Sequence, residues 1–199
     1  MFRYTMLTLT ALTILAGPAL AQSTPTRIRG TVQKIEGDTL VIDSRDGSVV
    51  PLRLAPGYTV SAVVPATLAD AKAGSFIGTA ATGPRDHLRA LEVLIFPDAA
   101  RGSGEGHYPW DLQPESTMTN ATVESEVASS DGRVLTVVAK GETLLVKVPL
   151  GTPVVTFEPG SPAMLVPGAP IFIGAQKSTD GTLTAARVNV GKDGLVPPM

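Results

Sequence analysis

Apolar and polar residues alternate in short runs along most of the chain after residue 21, and turn residues separate the runs at regular intervals. Alternation with a period of two predicts half-buried β-strands. Asp46-Gly47 lies between two β-branched runs and predicts a hairpin whose returning strand covers residues 48–54, with a further strand over 58–64. Only residues 68–74 deviate, and they predict one helical turn that ends at glycine. The pattern therefore predicts an all-β protein.

This pattern occurs twice along the chain. Three segments of the first copy find a match in the second, residues 57–60 in 151–154, 76–78 in 172–174, and 88–93 in 183–188. The offsets between the copies are 94, 96 and 95 residues. A repeated unit of about five short strands predicts a small OB-like β-barrel. We expect two tandem repeats over residues 22–98 and 121–191, a crossover segment over 99–120, and a surface tail over 192–199. Two separate barrels and one merged β structure both fit this pattern.

Residues 1–21 predict a secretory signal peptide. Arg3 precedes an apolar run, Pro18 interrupts the run, and Ala19-Leu20-Ala21 forms a small-residue cleavage site. Cleavage after Ala21 predicts a periplasmic or secreted protein. The apolar run is shorter than the roughly 20 residues that span a bilayer, and no second run follows, so we expect no transmembrane segment in the mature chain.

Composition narrows the function classes further. The chain has a net charge of −2, no cysteine, and no run of four or more like charges. Nucleic-acid binding relies on clustered Lys and Arg, so we expect no nucleic-acid partner. Neither a nucleotide-binding glycine loop nor a nucleophile motif is present, which argues against catalysis.

The crossover segment carries most of the residues that are candidates for binding a partner or a metal ion. It contains the only tryptophan of the chain, Trp110, and a loop of this length is commonly functional. Tyr108, Pro109, Trp110 and Leu112 are predicted to form either an interaction surface or a clasp between the repeats. Asn120 is interpreted as a turn residue that enters the second repeat.

The same segment permits a metal site. Glu105, His107 and Asp111 lie within seven residues of one another, among glycines that allow close approach. One histidine with carboxylates suits Zn²⁺ or Mn²⁺. A structural role for His107 and Trp110, pinning the segment against the barrels, is the simpler interpretation.

The run from Gly104 to Pro114, followed by residues 116–123, resembles a family of small exported bacterial proteins whose relatives sometimes carry the label "metal ABC transporter permease". The repeats also resemble the β domains of the family of unknown function DUF5666. The resemblance covers nearly all of the mature chain and implies a β-repeat architecture without naming an activity. In that family an arginine usually stands where this chain has Tyr108.

Together these observations predict an exported, soluble binding or accessory protein without catalytic activity and without a cofactor. Its partner would be an envelope protein or a small ligand. The alternative is a metal-binding or metal-handling protein that uses His107 with Glu105 or Asp111, and an enzyme of unrecognised type comes third.

Overall fold

The computed structural model describes residues 25–199, and the predicted signal peptide over residues 1–21 lies outside the described residues. The described chain is all-β, as predicted, and its helical pieces are short 3₁₀ turns, one of them at Leu68–Asp70 where a single helical turn was expected. The strands are β1 (Thr26–Glu36), β2 (Thr39–Ser44), β3 (Val49–Pro65), β4 (Phe76–Thr82), β5 (Leu88–Ala90), β6 (Val93–Ile95), β7 (Gly106–Pro109), β8 (Thr117–Ser129), β9 (Gly132–Ala139), β10 (Glu142–Pro149), β11 (Val154–Pro159), β12 (Pro170–Lys177) and β13 (Leu183–Gly191). Within residues 25–199, no helix is long and apolar enough to cross a membrane.

Five strands, β1, β2, β3, β12 and β13, close into a ring that is called the first barrel here. β12, β1, β2 and β3 pair in this order with antiparallel neighbours, and β13 pairs antiparallel with β12 and parallel with β3 to close the ring. Alternate side chains point inward and form an apolar core in which Leu40, Leu52 and Ile173 are fully buried. Closure leaves no unpaired edge in the ring, which suits a chain rich in Val, Ile and Leu.

A second ring, called the second barrel, contains β4, β5, β8, β9 and β10. β4 pairs antiparallel with β5 and β8, β8 pairs with β9, β9 pairs with β10, and a short parallel pair between β10 and β5 closes the ring. Its separate core includes the fully buried side chains of Ile77, Leu88, Leu135 and Val146. The two rings therefore have equivalent topologies and independent cores.

Each barrel takes strands from both halves of the chain. β1 to β3 are completed by β12 and β13 from the second half, whereas β8 to β10 are completed by β4 and β5 from the first half. This pairing differs from the prediction that residues 22–98 and 121–191 each close a barrel of their own. β3 contains both of the strands predicted over residues 48–54 and 58–64, and its ladder with β13 shifts register between Leu54 and Thr59, around Gly57 with its φ of 72°. The part after this irregularity pairs with β13 of the first barrel and with β11, so it leads the chain from one barrel toward the other.

The junction between the barrels is built around the pair of β3 and β11. In this antiparallel pair Ser61 lies opposite Pro159, Val63 opposite Phe157, and Pro65 opposite Val155. An offset of 94 residues maps Ser61 onto Val155 and Pro65 onto Pro159. The pair is therefore self-complementary, and the two halves of the molecule are related by an approximate twofold axis near Val63 and Phe157.

The strand register corrects one of the predicted matches between the copies. Thr31 lies opposite Pro170 in the first barrel, and Thr122 lies opposite Phe76 in the second. Phe76 thus corresponds to Pro170, and residues 76–78 correspond to 170–172. The predicted match to residues 172–174 is wrong by two residues, because the shared Phe-Ile-Gly letters do not occupy equivalent positions.

The last residues return to the junction, so the prediction of a surface arm over residues 192–199 is wrong. Met199 is 3% exposed and packs with Val63, Leu94 and Val155 in a third, small apolar cluster. The turn after β13 begins at Gly191, where a Cβ atom would lie 1.5 Å from the Leu195 carbonyl oxygen. Only glycine fits this turn without displacement of the chain.

Candidate ligand-binding cavity

A cavity of about 170 Å³ lies at the junction of the two barrels. Much of its wall is apolar, with the rings of Phe96, Phe157 and Phe172 and the side chains of Leu94 and Met199. The crossover segment and the start of β8 supply the remaining apolar wall through Tyr108, Trp110 and Met118. The cavity is therefore lined by both halves of the chain and by the crossover segment.

Aromatic rings meet around this cavity at angles typical of ring pairs in proteins. Phe96 and Phe157 are 6.2 Å apart between ring centroids, and so are Tyr108 and Trp110, both pairs in edge arrangements. Trp110 also lies 6.2 Å from Phe172 of β12. These contacts connect the crossover segment to the first barrel and keep the rings in fixed positions around the cavity.

Glu92, between β5 and β6, is a fully buried carboxyl group on this cavity. Its Oε1 atom accepts a hydrogen bond of 2.7 Å from the Ala80 backbone N–H, whereas its Oε2 atom has no partner. Burial raises the pKa of Glu92 to about 8, and the hydrogen bond from Ala80 opposes this shift only in part. The group is therefore mostly a neutral acid at pH 7 and carries a proton that it can donate or release.

Two asparagine amides face the same cavity, and their neighbours fix their orientation. Asn120 Nδ2 donates to the Ser103 carbonyl and to the Tyr108 hydroxyl, at 3.0 Å and 3.2 Å. Asn189 Nδ2 donates to the Phe172 carbonyl at 3.1 Å. Each Oδ1 atom is buried and has no hydrogen-bond partner. Exchange of oxygen and nitrogen in either amide would place an oxygen against a carbonyl oxygen, so both Oδ1 atoms remain free acceptors.

All buried side-chain nitrogen or oxygen atoms without a partner in residues 25–199 belong to residues that line this one cavity. They are Glu92 Oε2, Trp110 Nε1, Asn120 Oδ1 and Asn189 Oδ1. A buried polar group without a hydrogen bond costs about 1–3 kcal/mol. Larger clefts of about 630, 580 and 320 Å³ lie elsewhere, but none of these atoms lines them. The buried polar atoms without hydrogen-bond partners therefore distinguish this smaller cavity from the larger clefts.

Two arginines of β1 cover the outer side of the aromatic wall. The Arg27 guanidinium lies 3.8 Å from the Trp110 ring centroid, and that of Arg29 lies 5.2 Å from the Phe172 centroid. Both pair with Asp111, whose Oδ1 is 2.8 Å from Arg29 Nη2 and 3.6 Å from Arg27 Nη1. Burial alone would raise the pKa of Asp111, but the hydrogen bond from Arg29 and the charges of both arginines lower it overall. Asp111 is thus an anion that holds the crossover segment against the first barrel.

The twofold relation pairs residues of opposite character across the cavity. The offset of 95 residues between β5–β6 and β13 maps Glu92 onto Arg187, and both line the cavity. The same relation maps Arg29 onto Asn120. Arg29 lies opposite Phe172 in the first barrel, and Asn120 lies opposite Gly78 at the equivalent position of the second barrel. A Cβ atom on Gly78 would lie 2.7 Å from Asn120 Oδ1, so glycine is needed there to keep the amide in place. Symmetry is kept in the backbone and broken in the side chains, which gives the cavity two different faces.

The structure does not gather the predicted metal ligands. Glu105 Oε1 accepts a hydrogen bond from the Lys140 backbone N–H at 2.9 Å, and Asp111 pairs with the arginines of β1. His107 Nδ1 lies 2.8 Å from Thr119 Oγ1, and burial, followed by the charge of Arg85, lowers its pKa. Within the described part of the chain, no three His, Cys, Asp or Glu side chains are grouped to hold a metal ion.

The four apolar residues predicted in the crossover segment divide into two sets. Tyr108 and Trp110 are half-buried and line the cavity, whereas Pro109 is exposed on β7 and the half-buried Leu112 lies outside the cavity lining. Burial raises the pKa of the Tyr108 hydroxyl. Asn120 lies within β8, so its interpretation as a turn residue is wrong.

Sequence reasoning missed Glu92, Asn189 and Arg187. One signal was present, because Glu92 interrupts an otherwise apolar run from Leu91 to Phe96. A charged residue within such a run marks either an exposed strand face or a buried functional acid, and the pattern alone does not separate the two. Comparisons with family models, with curated proteins and with solved structures find no match to this chain.

Proposed function

We propose that this chain is an exported, soluble binding or accessory protein without catalytic activity, which takes up a small organic ligand in the junction cavity. The observation that carries the proposal is that the four unpartnered buried polar atoms of residues 25–199 all belong to residues that line one aromatic-walled cavity. Apolar walls with a few well-placed polar groups are the usual composition of a small-molecule site. A ligand that supplies the missing hydrogen bonds would offset the cost of burying those atoms.

The size of the cavity limits the ligand. A cavity of about 150 Å³ holds benzene, so a volume of about 170 Å³ suits one compact ring or a short alkyl body with a small polar group. The fixed rings and amides form a largely preorganised site, which reduces the entropy lost on binding. The signal peptide predicted over residues 1–21 supports a role in capturing or carrying such a molecule outside the cytoplasm.

A cavity-filling variant tests the proposal. Leu94→Phe would reduce the volume without changing any polar atom, and Leu145→Phe on the partly exposed outer face of β10 is the matched control. Both variants and the wild type would be screened against fragment-sized compounds by thermal midpoint and by Trp110 emission. We expect compounds that raise the midpoint of the wild type and the control by several degrees but leave Leu94→Phe unchanged. A screen without such compounds would contradict the proposal.

A further inference from the structure

Three of the four unpartnered atoms in the cavity are oxygens that can accept hydrogen bonds. These are Glu92 Oε2, Asn120 Oδ1 and Asn189 Oδ1. The Nδ2 atom of each amide donates to a carbonyl group of the chain, which leaves its Oδ1 as the amide atom without a partner. Glu92 becomes a third full acceptor when it loses its proton. With Glu92 ionised, three of the four unpartnered atoms are acceptors, and their complement is a group with several N–H or O–H donors.

The walls favour the same kind of ligand. Aromatic rings attract cations through the negative potential of their faces, and cages of such rings hold organic ammonium ions in other proteins. Here Phe96, Phe157, Phe172, Tyr108 and Trp110 line the same cavity as Glu92, Asn120 and Asn189. On their outer side, Trp110 and Phe172 already lie within cation–π distance of arginine guanidinium groups.

We infer that the cavity selects a primary ammonium ion carried on a compact apolar body. Its N–H donors number three, one for each of Glu92 Oε2, Asn120 Oδ1 and Asn189 Oδ1, while the apolar body packs against the rings. The inference rests on the proposed function and specifies its ligand class. Binding converts the neutral acid of Glu92 into a carboxylate, and its proton leaves to solvent, so that one proton is released for each ammonium ion bound.

The other charged and titratable groups around the cavity are consistent with this exchange. Arg27 and Arg29 share Asp111 and lie behind the aromatic wall. Tyr108 stays neutral because its pKa is raised. Arg187 lines the cavity, is largely exposed, and has no ion pair within residues 25–199. Its charge opposes a cation, but solvent and salt screen an exposed charge, and no cation contributes to the pKa of Glu92.

Three probes with one carbon skeleton and different charges test the inference: phenethylammonium, 2-phenylethanol and phenylacetate. Binding would be followed at pH 7 by Trp110 emission and by calorimetry in two buffers of different ionisation enthalpy. We expect the ammonium ion to bind at least about tenfold more tightly than the alcohol, as charge-assisted hydrogen bonds allow. Calorimetry should detect the release of about one proton per ligand, because Glu92 is mostly protonated at this pH.

Glu92→Gln keeps the shape of the side chain and removes its charge. We expect it to weaken ammonium binding at least about tenfold and to abolish proton release, with binding of the alcohol unchanged. Glu124→Gln on the exposed side of β8 is the matched control and should behave like the wild type. Preference for phenylacetate or the alcohol, or a Glu92→Gln variant that binds the ammonium ion normally, would overturn the ammonium assignment. If none of the three probes binds but the fragment screen finds compounds that bind the wild type and not Leu94→Phe, the ammonium assignment is wrong and the proposed function stands. If the fragment screen also finds no compound, both proposals are wrong.

Discussion

At the residue scale, Glu92 connects the stability of the fold with its proposed chemistry. Its pKa is about 8 in the folded chain and near 4.5 in a solvated one. Below pH 4.5 the group is protonated in both states. Between pH 4.5 and about 8 the unfolded chain binds fewer protons than the folded one, so the free energy of unfolding falls as pH rises. Above pH 8 both states are ionised and the loss levels off.

This linkage predicts a pH-dependent loss of stability that Glu92→Gln removes. Between pH 4.5 and 8.5 the wild type should lose on the order of 4 kcal/mol of unfolding free energy more than the variant. Urea unfolding of both proteins, followed by Trp110 emission at several pH values, measures the difference. The difference between the two pH profiles removes the contributions that His107 and other titratable groups make to the pH dependence of both proteins. Parallel pH profiles would show that Glu92 is ionised in the folded protein and would contradict its assignment as a neutral acid.

The sequence identifies some of the site residues and not others, for reasons that lie in the packing. Trp110 and Tyr108 could be singled out because aromatic residues in a long loop are costly unless they pack. Asn120 and Asn189 could not, since their role depends on which carbonyl groups lie beside them. The metal hypothesis depended on sequence proximity alone, whereas Asp111 is drawn away by the arginines of β1.

At the element scale, the turn after β13 decides whether the last residues close the cavity. Gly191→Ala would drive a Cβ atom into the Leu195 carbonyl, so the turn must open and Met199 must leave its buried position. Loss of a buried methionine costs about 2–5 kcal/mol, and we expect destabilisation at the lower end of this range together with red-shifted Trp110 emission. Urea unfolding and fluorescence spectra measure both effects.

Gly174→Ala in β12 is the control for this prediction. A Cβ atom there would meet only Pro25, at an ordinary distance of 3.8 Å, and its backbone conformation does not require glycine. We expect a change within about 0.5 kcal/mol, as for most exposed positions. Equal stability of Gly191→Ala and Gly174→Ala would mean that the last residues dock without the turn observed here.

Strands can be predicted from the sequence because alternation is a local property. The strands with which they pair cannot be predicted in this way. Residues 48–54 and 58–64 alternate as expected of strands, yet the sequence does not indicate that the second segment pairs with β11 at the junction between the barrels. A strand that closes a ring presents the same inward side chains whether the ring belongs to its own repeat or to the other. The exchange of β4–β5 with β12–β13 therefore leaves the hydrophobic pattern unchanged.

At the scale of the whole molecule, strand exchange makes one cavity from the two halves of the chain. Glu92 and Asn120 approach the cavity from the second barrel, and Asn189 and Phe172 approach it from the first. If each repeat closed its own barrel, the strands that carry these residues would have other neighbours. The proposed ligand site thus depends on the exchange, and a direct test of the pairing is also a test of the site.

A pair of engineered cysteines distinguishes the two arrangements, and the natural chain contributes no competing thiol. Thr31 lies directly opposite Pro170 in the observed antiparallel pair, at a separation that a disulfide can bridge with little movement. Thr31→Cys with Pro170→Cys should therefore lose both free thiols on mild oxidation, as measured by thiol titration and intact mass. Thr122→Cys with Pro170→Cys is the control, because Thr122 would face Pro170 only if the second repeat closed its own barrel. We expect its thiols to remain free. A disulfide in the control, with free thiols in the first variant, would show that the repeats close separately and would remove the structural basis of the shared cavity.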